Sequence, residues 1–276
     1  MYYLFYNPCS NAGKTEKDIL KFEKKLNKKG FNTIKINLMD DIDLKEIISE
    51  IDKNDIVVIA GGDGTINWML NTNLLNDIES KIYVYRSGRG NDFSRNFKSR
   101  FFEIKEGFHG FPTISYSGLT QSFVNGMGMG IDSVTCNIQH ENFKIGKKIS
   151  YFKVACEAFK SFKTYSLDVK VDGKDYHFDN CWFFVIQNGK YFGGGMKISP
   201  ESIINDGNLE LCIVHDMNLS KLLTVFPLIF IGKQTIFKKE LTYLRGKEFE
   251  ASPIGTDVLQ IDGEIRKNIH HVVVKS

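Results

Sequence analysis

A chain of 276 residues with 42% apolar, 25% charged and 13% aromatic residues has room for about two domains and too much apolar content to stay unfolded. Lys and Arg number 36 against 33 Asp and Glu, and the net charge of +3 is too small for a dedicated nucleic-acid binder. It suits phosphate handling or an anionic lipid surface, and the five scattered cysteines (Cys9, Cys136, Cys156, Cys181, Cys212) exclude a disulfide framework or zinc ribbon and fit a reducing, cytoplasmic setting.

The N-terminus has no basic region, so Tyr2–Tyr6 is expected as a first strand ending at Asn7-Pro8 and not as a signal peptide. A helix follows, opened by a capping-box-like pair, Thr15 and Asp18, and stopped at Gly30, with Ile19, Phe22 and Leu26 on one face. Phe31–Leu38 is expected as a strand, Asp43–Asp52 as a short helix, and Asp55–Ala60 as a strand buried on both faces. A second helix then leads to a strand over Lys81–Tyr85. Repeated strand–helix–strand order predicts a parallel sheet. From about Thr113, period-two runs take over at Gln121–Val124, Leu167–Val171, Tyr176–Phe178, Trp182–Ile186 and Leu209–Val214. Asp172-Gly173 marks a hairpin between two of them. One helix is expected over about residues 150–162. The apolar run Leu222–Ile231 contains Pro227 and falls well short of the ~20 residues a bilayer span needs. The chain therefore divides into an α/β domain, 1–112, and a mostly antiparallel β domain, 113–276.

Glycine-rich segments carry the candidate chemistry. Gly61-Gly62-Asp63-Gly64-Thr65-Ile66-Asn67 joins a buried strand to a helix, where backbone N–H groups can approach a phosphate and the helix N-terminus favours its charge. Asp63 there either orients the loop or holds a Mg²⁺-bound water. Ser87-Gly88-Arg89-Gly90-Asn91-Asp92-Phe93 follows another strand, and its Asn91 and Asp92 can order waters on Mg²⁺. Two such loops at strand ends of one sheet predict a shared nucleotide cleft. Ala12-Gly13-Lys14-Thr15 resembles the end of a Walker A loop, but Pro8 stands where that loop requires glycine, leaving Asn7–Lys14 as a simple phosphate-near loop. The six histidines match no metal-protease pattern, and no Gly-x-Ser-x-Gly elbow is present. In the second half, Asn188–Lys197 includes three successive glycines, costly to order in a purely structural loop. Asp262-Gly263-Glu264 offers carboxylates that could accept a proton from an attacking hydroxyl, or a plain Asp-Gly turn.

Taken in order, Asn7-Pro8, the 61–67 loop, Gly-x-Gly-Asn-Asp-Phe at 88–93, Asn-Gly-x-Gly-x-Gly-Ile-Asp at 125–132, Gly-Gly-Gly-Met-Lys-Ile-Ser-Pro at 193–200, Asn-Asp-Gly at 205–207 and Asp-Gly-Glu at 262–264 resemble the diacylglycerol kinase catalytic-domain family of lipid kinases. The resemblance covers essentially the whole chain. Gly-Gly-Asp-Gly-Thr is shared with NAD kinases; the triple glycine and Asp-Gly-Glu are more particular to the lipid kinases. The resemblance implies an NAD kinase/diacylglycerol kinase-like α/β domain followed by a β-sandwich-like domain. It implies ATP- and Mg²⁺-dependent transfer of a phosphoryl group to the hydroxyl of a lipid such as diacylglycerol. ATP would lie in the cleft between the domains, on Asn7, Gly61, Gly62, Asp63, Gly64, Thr65, Asn67, Gly88, Arg89, Gly90, Asn91 and Asp92. Asp92 matches an aspartate of a Mg²⁺–water network, and Asp206, with the carbonyls of Ile203 and Asn208, matches the holder of a structural Mg²⁺. Glu264 matches the base, with Asp262 positioning it or the metal.

The chain departs from the family at Arg89 (a small hydroxyl residue), Arg86 (proline) and Trp68 (an acid). The alternatives are an NAD-kinase-like small-molecule kinase and a catalytically impaired lipid- or nucleotide-binding homologue. The expected partners are ATP and a lipid met by peripheral contact with a membrane, no nucleic acid, and a second copy of the chain as candidate dimer. Met127, Met129, Ile131, the helix at 151–162 and Leu222–Phe237 are candidates for an apolar pocket or membrane-facing edge. Lys144, Lys147, Lys148, Lys233, Lys238 and Lys239 flank these stretches.

Overall fold

Continuous apolar runs in the first third and alternating runs thereafter give two kinds of sheet in the computed structural model. It describes residues 1–76, 78–104, 110–144, 154, 158–159 and 162–276, with backbone alone at 143–144. Most of the helix expected over 150–162 lies outside the described residues, as do Lys147, Lys148, His109, Cys156 and the Lys144 side chain. The chain divides into two units, Met1–Phe111 and Pro112–Ser276.

In the first unit, β1 (Tyr2–Tyr6), β2 (Thr33–Asn37), β3 (Ile56–Gly61), β4 (Lys81–Arg86) and β5 (Phe101–Glu103) form one sheet in the order β2-β1-β3-β4-β5. The first four are parallel, and β5 adds an antiparallel edge. Val57, Val58, Ile59 and Ala60 are fully buried, as expected of a strand covered on both faces. The helices are α1 (Lys14–Asn27), α2 (Leu44–Ser49) and α3 (Asp63–Asn71). Asp43 caps α2 through the backbone N–H groups of Lys45 and Glu46. The capping box expected at α1 is absent: Gly13 is the N-cap, Thr15 sits inside the first turn, and its hydroxyl is used elsewhere.

The second unit packs two six-stranded sheets into a sandwich of antiparallel pairs. β6 (Thr113–Tyr116), β7 (Leu119–Ser122), β9 (Tyr165–Val171), β10 (Lys174–Cys181), β14 (Glu248–Ile254) and β17 (Val272–Lys275) form one sheet. β8 (Gly126–Gly130), β11 (Phe183–Gln187), β12 (Leu209–Val214), β13 (Leu241–Gly246), β15 (Leu259–Ile261) and β16 (Glu264–Arg266) form the other. Phe184 and Ile186 of β11 face the sandwich core, while Phe183 and Val185 join a second core on the sheet's outer side. Met127 and Met129 lie in the sandwich core, so neither lines a lipid pocket, whereas Ile131, at the start of α4 (Ile131–Lys144), belongs to the outer core. The apolar run 222–231 is broken as its proline requires. α5 (Leu219–Val225) gives way to a 3₁₀ helix, Phe226–Ile231, with Pro227 in its first turn and Gly232 closing it at φ 72°.

Candidate functional site

In the first unit the loops after β1, β3 and β4 meet at the C-terminal ends of three adjacent parallel strands, the usual ligand-binding edge of such a sheet. The Ser87 N–H donates to the Gly61 carbonyl at 3.0 Å, and the Asn7 N–H donates to that of Ala60 at 3.4 Å. The Ser10 and Thr65 hydroxyls are 3.1 Å apart, and the Thr15 hydroxyl lies 3.1 Å from both the Ser10 and Ser87 carbonyls. Thr15 thus latches the first loop to the third. Its sequence signal was spent on a capping box that does not form.

The two glycine loops touch through backbone. A Cβ on Gly88 would lie 2.2 Å from the Gly62 Cα, a separation only glycine at both positions permits. Asp63 crosses the same contact: its two carboxylate oxygens accept the backbone N–H groups of Asp92 (2.9 Å) and Phe93 (3.0 Å). Of the two roles open to Asp63, the described geometry displays the loop-orienting one. Asn91, at φ 57°, turns its amide onto the Gly88 carbonyl at 2.6 Å. Asp92 is buried, with the Arg95 guanidinium 3.8 Å from its Oδ1. Gly64 and Arg89 are exposed, and Thr65 is buried under the loop. Asn67 accepts the Asn71 side-chain amide within α3. Trp68 is 44% exposed, and Arg86 reaches back to the Ser94 carbonyl.

In the second unit the sequence motifs converge through Asn188 and Asp262. The Asn188 amide donates to the carbonyl of Val124 and to the Asn205 side chain, both at 3.0 Å, and its oxygen accepts the Asn205 N–H. The Asp262 carboxylate accepts three consecutive backbone N–H groups, those of Val124 (2.6 Å), Asn125 (2.8 Å) and Gly126 (3.1 Å). Asp262 and Gly263 sit at φ 48° and 88°, the two left-handed residues of a tight turn between β15 and β16. Glu264 follows on β16, exposed, its Oε2 2.9 Å from the Arg266 guanidinium. Arg266, two residues on and so on the same strand face, also donates to the Tyr116 hydroxyl. Sequence reasoning missed this partner. The triple glycine runs through positive φ at 60°, 85° and 119°, folding Phe192 back onto Met196.

Asp206 lies just before β12. Its carboxylate pairs with the Arg245 guanidinium from β13 and accepts the Asn208 N–H at 3.0 Å. Ile203 is exposed, and among the described residues no group of three or more His, Cys, Asp or Glu side chains stands together. Cys9, Cys136, Cys181 and Cys212 are free thiols, and burial pushes Cys136, Cys181 and Cys212 up to about 12. These three thiols offer no nucleophile.

Comparison with known proteins agrees with this layout. Residues 1–112 match the diacylglycerol kinase catalytic domain, and residues 125–273 match the YegS C-terminal NAD kinase beta sandwich-like domain. The diacylglycerol kinase of Bacillus subtilis (strain 168) is 24% identical over 282 residues, covering 95% of this chain and 88% of its own length. The diacylglycerol kinase of Staphylococcus aureus (strain MRSA252) is 24% identical over 270 residues, covering 95% and 85% respectively. The fold is that of a diacylglycerol kinase crystal structure from Bacillus anthracis str. Sterne, with a TM-score of 0.67 at 21% identity, covering 100% of this chain and 94% of that one. Among the described residues, no helix is long and apolar enough to cross a membrane. The chain belongs to the diacylglycerol kinase catalytic-domain family, with the YegS-type sandwich as its second domain.

Proposed function

We propose that the chain transfers the γ-phosphoryl group of Mg-ATP to the hydroxyl of a lipid of the diacylglycerol type. The observation that carries this is the backbone contact of the two glycine loops, stapled by Asp63, at the ends of β3 and β4. Such a loop pair presents main-chain N–H groups to phosphates without side chains in the way. Asn7, Gly61, Gly62, Gly64, Thr65, Asn67, Gly88, Arg89 and Gly90 would form the cradle. Asn91 and Asp92 would face the Mg²⁺ that accompanies the nucleotide, supplying charge neutralisation during transfer. Glu264 would accept the proton of the attacking hydroxyl. Asp262 has all the backbone partners of a positioning residue, and it would hold the turn that aims Glu264.

The test is incubation with γ-labelled ATP, Mg²⁺ and detergent-dispersed diacylglycerol, a sphingoid base or a polyprenol. Labelled lipid is the expected product, and its absence across the panel removes the proposal. Glu264→Gln should lose at least a hundredfold in kcat, the scale of a general base. Turnover of NAD without any lipid would favour the small-molecule kinase instead.

A further inference from the structure

Residues 86–100 carry four arginines, Arg86, Arg89, Arg95 and Arg100. Three of them are committed. Arg86 donates to the Ser94 carbonyl at 3.4 Å, and Arg95 donates to the Gly90 carbonyl at 3.0 Å and stands by Asp92. Arg100 donates to the Arg86 carbonyl at 2.8 Å, pairs with Asp18 and lies over the Tyr85 ring. Arg89 is exposed and has no ion pair, hydrogen bond or ring contact among the described residues. On open surface an arginine needs none. This one stands at the ligand-binding edge of the sheet, on the tip of the second glycine loop.

The backbone around Arg89 is fixed on both sides, although its side chain is not. The Asn91 amide holds the Gly88 carbonyl at 2.6 Å, and Arg95 holds the Gly90 carbonyl. Asp63 takes the N–H groups of Asp92 and Phe93, and the buried Thr15 hydroxyl lies 3.1 Å from the Ser87 carbonyl. A Cβ on Gly62 would come within 3.9 Å of the Arg89 nitrogen, so Arg89 sits at the seam of the two glycine loops. The carboxylates of these loops are already engaged, Asp63 with backbone and the buried Asp92 beside Arg95. A guanidinium held in place with no carboxylate to meet suits an anion from outside the chain. Phosphate is the match, because its oxygens accept the two-pronged hydrogen bonding of arginine. The glycine loops themselves offer only neutral N–H groups, so a polyphosphate bound there needs positive charge from another source.

We propose that Arg89 is a specificity-determining residue of the phosphoryl-donor site, a clamp on the nucleotide's phosphates that supplies part of the charge a divalent ion otherwise provides. The chain should therefore hold a nucleoside triphosphate even without a divalent ion. The small hydroxyl residue usual at this position in the family could donate one hydrogen bond but no charge, so the clamp sets this chain apart from that pattern. The proposal rests on the lipid-kinase reading only for the identity of the donor site.

Calorimetry reads the binding without turnover. Wild type should bind ATP in EDTA within about tenfold of its affinity in Mg²⁺. Arg89→Ser should lose at least about tenfold in EDTA and only about threefold in Mg²⁺, where the ion shares the neutralisation. Its ATP affinity should also depend less on salt than that of wild type. Adenosine, which has no phosphates, should bind both proteins within about twofold, as expected if the rest of the site is intact. Lys98→Ser removes another exposed charge from the same segment and should leave ATP binding within about twofold of wild type. The clamp is overturned if wild type binds no ATP in EDTA, if Arg89→Ser binds ATP as well as wild type or better, or if Lys98→Ser shows the same loss. Adenosine binding lost in Arg89→Ser overturns it too, since the side chain would then shape the loop and not meet phosphate. Equal losses with and without Mg²⁺ overturn the sharing of charge with the ion. Arg89-dependent ATP binding without any labelled lipid product leaves the clamp standing and removes the kinase reading; labelled product with ATP binding indifferent to Arg89→Ser does the reverse.

Discussion

At the scale of single residues, Asp63 concentrates the most consequence in one side chain. It spends both carboxylate oxygens on the Asp92 and Phe93 N–H groups, so Asp63→Ala strands two donors beside a buried phenylalanine. At about 1.5–3 kcal/mol for a bond to a charged group, Mg-ATP affinity should fall at least tenfold while the chain stays folded, as calorimetry and a melting curve would report. Gly88→Ala fails differently: its Cβ meets the Gly62 backbone, which cannot yield as a side chain would, and the loop pair must separate. A loss of about 1–3 kcal/mol in stability is expected by analogy with overpacked cores, together with lost nucleotide binding. Asp132 acts through pH. Its folded carboxyl is raised from 3.8 to about 7, so folding is favoured most below pH 4, and that contribution is lost as pH rises toward 7. Its titratable neighbours Cys136 and Tyr165 are themselves raised by burial, so neither supplies a compensating charge. Urea titrations should show wild type losing a few kcal/mol relative to Asp132→Asn between pH 5 and pH 8; parallel curves would show that the carboxyl is not buried in the folded chain. The identities of these residues were legible in the glycine-rich motifs, but their duties were not. Whether a carboxylate meets a metal or a backbone amide is decided by which strand ends lie side by side, and spacing along one chain does not carry that.

Elements were legible where their periodicity and punctuation agree. Leu209–Val214 was read with both its ends, and Asp172-Gly173 forms the tight turn between β9 and β10 with φ of 47° and 82°. Asp172 does more than turn. Its carboxylate accepts the Lys247 and Glu248 N–H groups, both at 2.9 Å, and these backbone bonds hold it below the usual carboxylate range. Asp172→Ala should therefore cost about 1 kcal/mol, discounted for solvent screening, and the loss should shrink as pH falls through the folded carboxyl's range, in line with its lowered value. A melting-temperature series from pH 7 to pH 3 checks the sign, because a cost that grows with acid contradicts it. Short edge strands escaped the reading. β5 and β16 have three residues each, too few to display a period. Within the apolar run 222–231, only Pro227 hints at the change from α to 3₁₀.

On the lipid-kinase reading proposed above, the question for the whole molecule is how a chain with a net charge of +3 and no membrane-crossing helix among its described residues would reach a lipid held in a bilayer. The exposed apolar residues Leu223, Phe230, Ile231 and Ile236 lie in one stretch of chain with the exposed Lys233, Lys238 and Lys239. Apolar side chains that insert shallowly and lysines that meet anionic headgroups reinforce each other, since each alone gives only weak, reversible attachment. The small overall excess of positive charge is then less informative than its local grouping. At about 1 kcal/mol per lysine near an anionic surface, changing Lys233, Lys238 and Lys239 together to Gln should weaken binding to phosphatidylglycerol vesicles on the order of a hundredfold. The wild-type interaction should also weaken with added salt, and the variant's much less, because the screened charges are the ones removed. Vesicle flotation at 50 and 300 mM salt measures both, and turnover of a short-chain, water-dispersed lipid serves as the reference because it needs no docking. Equal flotation of the two proteins would move the docking surface elsewhere. A parallel drop in turnover of the short-chain lipid would mean that the lysines serve the reaction itself and not the approach to the membrane.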